Sequence, residues 1–341
     1  MNYQPLVAII VPVYNVEKYL AECLESLGQQ TYQKIQIYAV NDGSDDRSRE
    51  ILDNYAEKMP NLKVFHKPNG GVSSARNVAL NKLEDKECDF ICFVDADDKV
   101  SPTFVEDFIS AIKHQGVNFA ICGVAMFDKT GVINAEKTDH SQFRLLEEDI
   151  PYQYFAISKW SNRSSASTRF LSNRFFPYEA IKDLRFREDM VTCEDQDFFF
   201  KATENLKTGV LLVKQNYFYR LRRSSLSHCH HKLEDELLFY IDLLKKNPYK
   251  RSTMHGIELT AMNCWWWLLQ NSFQEKVTKN LTICKAAYDF FKIHRFKEVL
   301  DNKYRKRFLF YKFGNIFLRI LFLLKKSKWK SKKLDEINFF E

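Results

Sequence analysis

Apolar and polar positions along the first third of the chain fall into a repeating order of short apolar runs and helical periods. Leu6 to Val13 is a continuous apolar run rich in Val and Ile and stopped by Tyr14-Asn15, the pattern of a strand buried on both faces. Val16 to Gln29 follows with apolar residues at Val16, Leu20, Cys23, Leu24 and Leu27, a helical period. The alternation continues with strands at Ile35 to Val40, Leu62 to Phe65, Phe90 to Val94 and Asn118 to Cys122. Helices between them lie near Asp46 to Lys58, Val72 to Leu83 and Pro102 to His114. Strands alternating with helices of this length predict an α/β protein with a mostly parallel, doubly wound sheet. Ligands bind such sheets beyond the carboxyl ends of the strands, so the loops starting at Tyr14, Asn41, His66 and Asp95 are expected to converge on one crevice.

From Ala125 to about Phe170 the pattern weakens into polar and aromatic sequence, long enough to predict a functional excursion. A helix from about Glu194 to Glu204 and a strand from Gly209 to Tyr219 restore it. Beyond Lys232 the chain reads as wholly helical, with candidates at Leu233 to Lys246, Thr253 to Gln270, Thr278 to Lys292 and Tyr304 to Lys326. The expected division is therefore residues 1–231, a helical region 232–302 and a basic tail 303–341.

Composition adds that the 341 residues, 45% hydrophobic and 28% charged, are those of a folded protein and exclude a disordered or fibrous chain. The net charge of +7 is local. Between Lys303 and Lys333 stand twelve Lys or Arg and no Asp or Glu, so the remainder is net acidic. The eight cysteines lack the C-x-x-C pairs of structural zinc and read as small buried hydrophobes. Met1 to Pro5 has no charged and apolar leader, which predicts a cytoplasmic protein.

Neither G-x-G-x-x-G after the first strand nor G-x-x-x-x-G-K-[ST] occurs, which disfavours a dinucleotide-binding dehydrogenase and a P-loop kinase. The strand ends are acidic instead, with Asn41-Asp42-Gly43-Ser44-Asp45-Asp46 after the second and Asp95-Ala96-Asp97-Asp98 after the fourth. Three carboxylates within four residues repel one another, and a divalent cation with hard oxygen preference, Mg²⁺ or Mn²⁺, would neutralise them. A turn capping the next helix through Asp98 or Ser101 explains the same residues equally well.

Val11-Pro12-Val13-Tyr14-Asn15 with Glu17, then Asn41 to Asp46, Gly70-Gly71-Val72-Ser73-Ser74-Ala75-Arg76-Asn77, Asp95-Ala96-Asp97-Asp98 and Glu194-Asp195 resemble, in order and spacing, the signature of family-two glycosyltransferases. The resemblance covers about residues 4 to 230 and implies the GT-A fold, a mostly parallel sheet flanked by helices, followed by an all-helical C-terminal region. It implies a UDP-sugar donor, with Pro12, Tyr14, Glu17, Asp42, Arg76, Asp95 and Ala96 on the nucleotide-sugar. Asp42 would accept the N3–H of uracil. Asp97 and His228 would hold Mn²⁺ or Mg²⁺, which steadies the charge of the departing UDP. Asp195 would act as the general base of an inverting transfer, with Glu194 beside it on the acceptor. Without the other motifs, Glu194 and Asp195 would read as acidic residues favoured in a helix's first turn.

The basic, hydroxyl-rich run Tyr219 to His228 is of a kind that can close over a diphosphate. Arg163, Arg169 or Arg174 would suit a uronate carboxylate or an acceptor phosphate. Phe308 to Leu324 is too short and too charged to span a bilayer, while Arg305, Lys312, Arg319 and Lys326 recur every seven residues beside an apolar face. That predicts a helix lying on the anionic inner face of a bacterial cell membrane, or else an ordinary packed amphipathic helix; no nucleic-acid partner is expected. The resulting expectation is a hexosyl-, N-acetylhexosaminyl- or glucuronosyltransferase acting on a lipid-linked, lipopolysaccharide or capsule glycan. The rivals are a catalytically silent glycan- or membrane-binding protein of the same fold and a nucleotidyltransferase. The latter is disfavoured by Tyr14-Asn15-Val16-Glu17 where a Gly-rich, Lys-bearing loop would stand.

Overall fold

The computed structural model describes residues 3–83, 88–132, 143–147, 150, 171–190, 192–222, 232–246 and 249–275, with Cys284, Ala287, Phe290 and Phe291. The first half of the sheet follows the apolar runs. Strand β1 (Val7–Val13) pairs in parallel with β2 (Ile35–Asp42) on one side and β4 (Phe90–Phe93) on the other, and β2 pairs in parallel with β3 (Leu62–Lys67). Helices α1 (Leu20–Gly28), α2 (Ser48–Ala56), α3 (Val72–Lys82) and α4 (Phe104–Gln115) occupy the predicted intervals. The first starts later than its period suggests, because the amides of Tyr19 and Leu20 both bond to the carbonyl of Val16 in a turn (2.9 and 3.0 Å).

The second half is mixed, where a mostly parallel sheet was expected. Strands β5 (Lys99–Val100), β6 (Ala120–Asp128), β7 (Gly131–Val132), β8 (Phe143–Glu147), β9 (Arg174–Pro177) and β10 (Thr208–Arg220) complete the ten strands among the described residues. Their order is β3-β2-β1-β4-β9-β6-β10-β5, with β7 on β6 and β8 on β10. Only β10 on β6 is parallel; β9 runs antiparallel to both β4 and β6, and β5, β7 and β8 are antiparallel too. The insertion of β9 is driven by aromatics: Phe175 and Phe176 are fully buried, Phe175 stacks on Phe108 at 4.3 Å, and Phe176 meets Phe93 and Phe198 edge-on.

After β9 come the short helix α5 (Tyr178–Ile181) and α6 (Glu194–Thr203). Phe198 of α6 stacks on Phe186 at 4.0 Å with the rings within 3° of parallel, tying the helix to the segment before it. The chain divides into two compact units, Met1–Cys229 with Tyr249–Thr253, and His230–Pro248 with Met254–Glu341. In the second, α7 (Lys232–Lys246) buries Leu237, Tyr240, Ile241 and Leu244, one helical stripe. Along α8 (Arg251–Glu275), Trp265 is buried with its indole N–H on the Cys284 carbonyl (2.9 Å), while Trp267 is exposed. No helix of the described residues is long and apolar enough to cross a membrane. The expected tail helix and most of the candidate at Thr278 to Lys292 lie outside the described residues.

Candidate active site

Loops after β1 and β2 are laced together at the carboxyl edge of the sheet. Asn15 takes a left-handed conformation (φ 50°), its amide donates to Ser44 Oγ (3.1 Å), and its side-chain oxygen accepts the Asp45 amide (2.9 Å). Asn is among the residues that tolerate this conformation. Glu17 accepts the Arg47 amide and its own amide donates to Asp46, so Glu17 and Asp46 brace the two loops. Tyr14 is left exposed beside half-buried Pro12, with a ring face available to a ligand.

Asp42 ends β2 and is buried. Its carboxylate accepts the ammonium of Lys67 and the amides of Gly70 (2.9 Å) and Gly71 (2.7 Å). Gly43 must be glycine: φ is +69° and a Cβ would lie 2.6 Å from the Asn69 amide nitrogen. Asp42 therefore fastens the Gly70-Gly71 turn from which α3 springs.

The acidic loop after β4 sends its carboxylates in three directions. Asp98 turns into the core, where it is fully buried and accepts the Tyr217 hydroxyl (2.6 Å) and the Arg220 amide (2.8 Å). Burial, then the nearby Asp97 and Asp95, holds its carboxyl well above the usual range. Tyr217 Oη also accepts the Asp95 amide (3.2 Å). Arg220 donates through Nε to the Asp97 carbonyl (2.7 Å) and reaches Glu22 (2.5 Å). Half-buried Asp97 pairs with Arg222, whose Nε stands 2.7 Å from Oδ2. Its carboxyl is raised by burial and by Asp95, with Arg222 opposing. Asp95 faces Arg76 (3.2 Å).

Arg76, early in α3, also reaches Glu194 Oε1 (3.4 Å), the first residue of α6. Asp195 follows, half-buried. Burial and the adjacent Glu194 carboxylate push its pKa up to about 7, against the pull of Arg76 and Arg174. Cys193, just before the pair, adopts φ 66°, a strained conformation for a residue other than glycine or asparagine. The structure thus brings together Asp95, Arg76, Glu194 and Asp195, with Ala96 and Asp97 adjoining Asp95 in the chain. Arg174 is fully buried with its guanidinium 4.2 Å from the Phe199 ring, so it cannot meet a uronate or phosphate at the surface. His228, Arg163 and Arg169 lie outside the described residues.

Residues 8–183 match the model of Glycosyl transferase family 2. The chain belongs to this family. It is 32% identical over 232 residues to the Bacillus subtilis protein named Uncharacterized glycosyltransferase EpsJ, covering 67% of this chain and 64% of that protein. It is 29% identical over 229 residues to Glycosyltransferase GlyG of Streptococcus pneumoniae, covering 65% of this chain and 72% of that one. The chain spans less than two thirds of the length of EpsJ and of the related Putative glycosyltransferase EpsH. Among solved structures, residues 1–349 of Staphylococcus aureus TarS in complex with UDP-GlcNAc superpose with a TM-score of 0.62 at 25% identity, covering 84% of this chain and 81% of that one. A mannosyltransferase from Pyrobaculum calidifontis, in complex with GDP-Man and Mn²⁺, shares the fold at a TM-score of 0.54 and 15% identity.

Family membership frames the acidic loop. Among the described residues no three His, Cys, Asp or Glu side chains converge as a metal cage, because Asp98 is spent in the core and Asp95 on Arg76. Asp97 remains as a single half-buried carboxylate already neutralised by one cation, Arg222. One carboxylate completed by substrate phosphates and water is how Mg²⁺ is held in nucleotide sites, and hard oxygen suits Mn²⁺ equally. The donor set fits a divalent cation. Tyr217, Arg220 and Glu22, which position the loop, carry no local sequence signal. Tyr217 faces inward because β10 shifts register against β6 between Leu212 and Tyr217.

Proposed function

We propose that the chain is an inverting glycosyltransferase that moves a sugar from a UDP-sugar to a hydroxyl of a lipid-linked, lipopolysaccharide or capsule glycan. The observation that carries this reading is the acid pair that opens α6: Glu194 is held by the same Arg76 guanidinium that holds Asp95, and the half-buried Asp195 next to it is pushed up to about 7. A group titrating there is suited to take a proton from an attacking hydroxyl at neutral pH. Glu194 orients the acceptor. On the donor side Tyr14 and Pro12 receive the base, and Asp42, whose Oδ2 takes one amide, keeps capacity to accept uracil N3–H. Asp95 and Ala96 face the ribose. Asp97, with His228, would hold Mn²⁺ or Mg²⁺, which when bound neutralises charge on the departing diphosphate. The TarS complex with UDP-GlcNAc supports a uridine nucleotide-sugar as donor. The basic segment 303–333 would place the enzyme on the inner face of a bacterial membrane.

A panel of UDP-glucose, UDP-galactose, their N-acetylamino forms and UDP-glucuronate, assayed by released UDP, tests the reading. Asp97→Asn is expected to abolish the metal dependence of UDP binding. No release from any donor would sink the proposal in favour of a silent binding protein.

A further inference from the structure

Arg76 is the ion bridge between the two sides of the site. The residue is 5% exposed, with Nη2 3.2 Å from Asp95 Oδ1 and Nη1 3.4 Å from Glu194 Oε1. Its Nε is buried with no acceptor among the described residues, so the two carboxylates govern its orientation at the cost of one unmade hydrogen bond. The guanidinium also lies 5.2 Å from the ring of Phe186, which stacks on Phe198 of the helix carrying Glu194. The neighbouring Asn77 clamps Phe186 by its main chain, accepting its amide (2.8 Å) and donating to its carbonyl (2.9 Å). The slot is thus built from α3, the Phe186 segment and α6 together. Both Nη groups are committed to carboxylates rather than aimed at a nucleotide.

We propose that Arg76 is a positioning residue that locks the donor-side Asp95 loop to Glu194 and so orients Asp195 for proton abstraction; this rests on the reading of Asp195 as the base. Among the described residues, the charged groups that act on Asp195 are Glu194 on its own helix, Arg76 from α3 and Arg174 from β9. Removing Arg76 leaves one cation against the adjacent anion, which shifts Asp195 toward its protonated form at neutral pH.

The full chain is compared with Arg76→Gln, Arg76→Lys and Asp195→Asn. UDP binding is measured by calorimetry, Asp195 titration by carbon-13 carboxyl NMR, and turnover on the best donor of the panel. Arg76→Gln is expected to bind UDP within about threefold of the parent. Its Asp195 titration should move to higher pH, and its turnover should fall about 10²-fold, as misplaced catalytic groups do. Arg76→Lys should restore most of the titration. If Arg76→Gln does not fold, Glu194→Gln breaks the same bridge from the other end and should spare UDP binding while lowering kcat; a rise in the acceptor KM with kcat unchanged would make Glu194 an acceptor contact alone and overturn the proposal. UDP affinity falling in step with turnover would make Arg76 a nucleotide ligand and overturn the proposal, as would an unmoved Asp195 titration. Should Asp195→Asn retain turnover, the base assignment fails; a dead Asp195→Asn beside an unmoved titration in Arg76→Gln fails the bridge alone.

Discussion

The loops that close the β1–β3 end of the sheet and the segments that carry the acid pair are held by different forces. At the first end the partners are about thirty residues apart in the chain, as Asn15 is from Ser44 and Glu17 from Arg47, and the bonds join main-chain amides to short polar side chains. At the second end the partners that fix α6 and β10 are more than a hundred residues apart, as Arg76 is from Glu194 and Tyr217 from Asp98, and the bonds join buried ionisable groups, an ion pair in the first case and a phenol on a carboxyl in the second. The first arrangement makes a preformed receptacle with an open aromatic face at Tyr14. The second concentrates charge where the surroundings are poorly polarisable, which strengthens every electrostatic interaction made there. Recognition of a nucleotide asks for the former and proton transfer for the latter.

The sharpest way to break this division is Asp195→Asn. If chemistry resides in the long-range end, turnover should drop on the order of 10²–10⁴-fold while calorimetric UDP affinity stays at the parent's value. Loss of UDP binding in this variant would mean that the two ends are one.

Packing supplies the next test. Phe198→Ala removes a fully buried ring that touches Phe93, Phe176 and Phe186 and is expected to cost about 3–5 kcal/mol in denaturant unfolding. A cost under 1 kcal/mol would show that the aromatic cluster does not hold α6. A smaller effect is expected at the other end. Asp42→Ala should weaken UDP binding by about 1–3 kcal/mol, the range for a lost hydrogen bond to a charged group, and leave the Asp195 titration unchanged. Parent-like UDP affinity in Asp42→Ala would mean that the base pocket is elsewhere.

The same contrast explains what the sequence showed in advance. Strands β1 to β4 and their helices lie within a few residues of their apolar runs because each element states its own period. β9 does not. Arg174-Phe175-Phe176-Pro177 opens on a cation and closes on a proline, and the burial of that cation, over the Phe199 ring and within the field of Asp195, has no sign in the local sequence. β5, at two residues, has no period to read. In the site, the order of the acidic motifs was legible, but the divergence of Asp95, Asp97 and Asp98 was not. It depends on Arg76, Arg222 and Tyr217, which arrive from distant parts of the chain.

The smallest expected effect is also the one that separates the two ends by sign. Asp46, at the locally laced end, has its carboxyl held below its usual value: burial, the largest single influence, acts to raise it, but the hydrogen bonds from Ser48 and the Glu17 amide together outweigh it. A depressed carboxylate contributes stability above its unfolded pKa, and that contribution is lost as pH falls through the folded value. Asp195 is the reverse. Its folded pKa of about 7 lies above the ordinary value of 3.8, so the stability linked to it is present below 3.8 and is lost as pH rises toward 7. Thermal melting of the parent should therefore be eroded through Asp46 in acid and through Asp195 on the way to neutrality. Asp46→Asn should flatten only the acid side of the melting profile below about pH 4, and Asp195→Asn only the slope between about pH 4 and 7. Equal flattening by both variants across the same interval would erase the distinction between a hydrogen-bonded carboxylate and one raised by burial, and with it the electrostatic basis for placing the chemistry at Asp195.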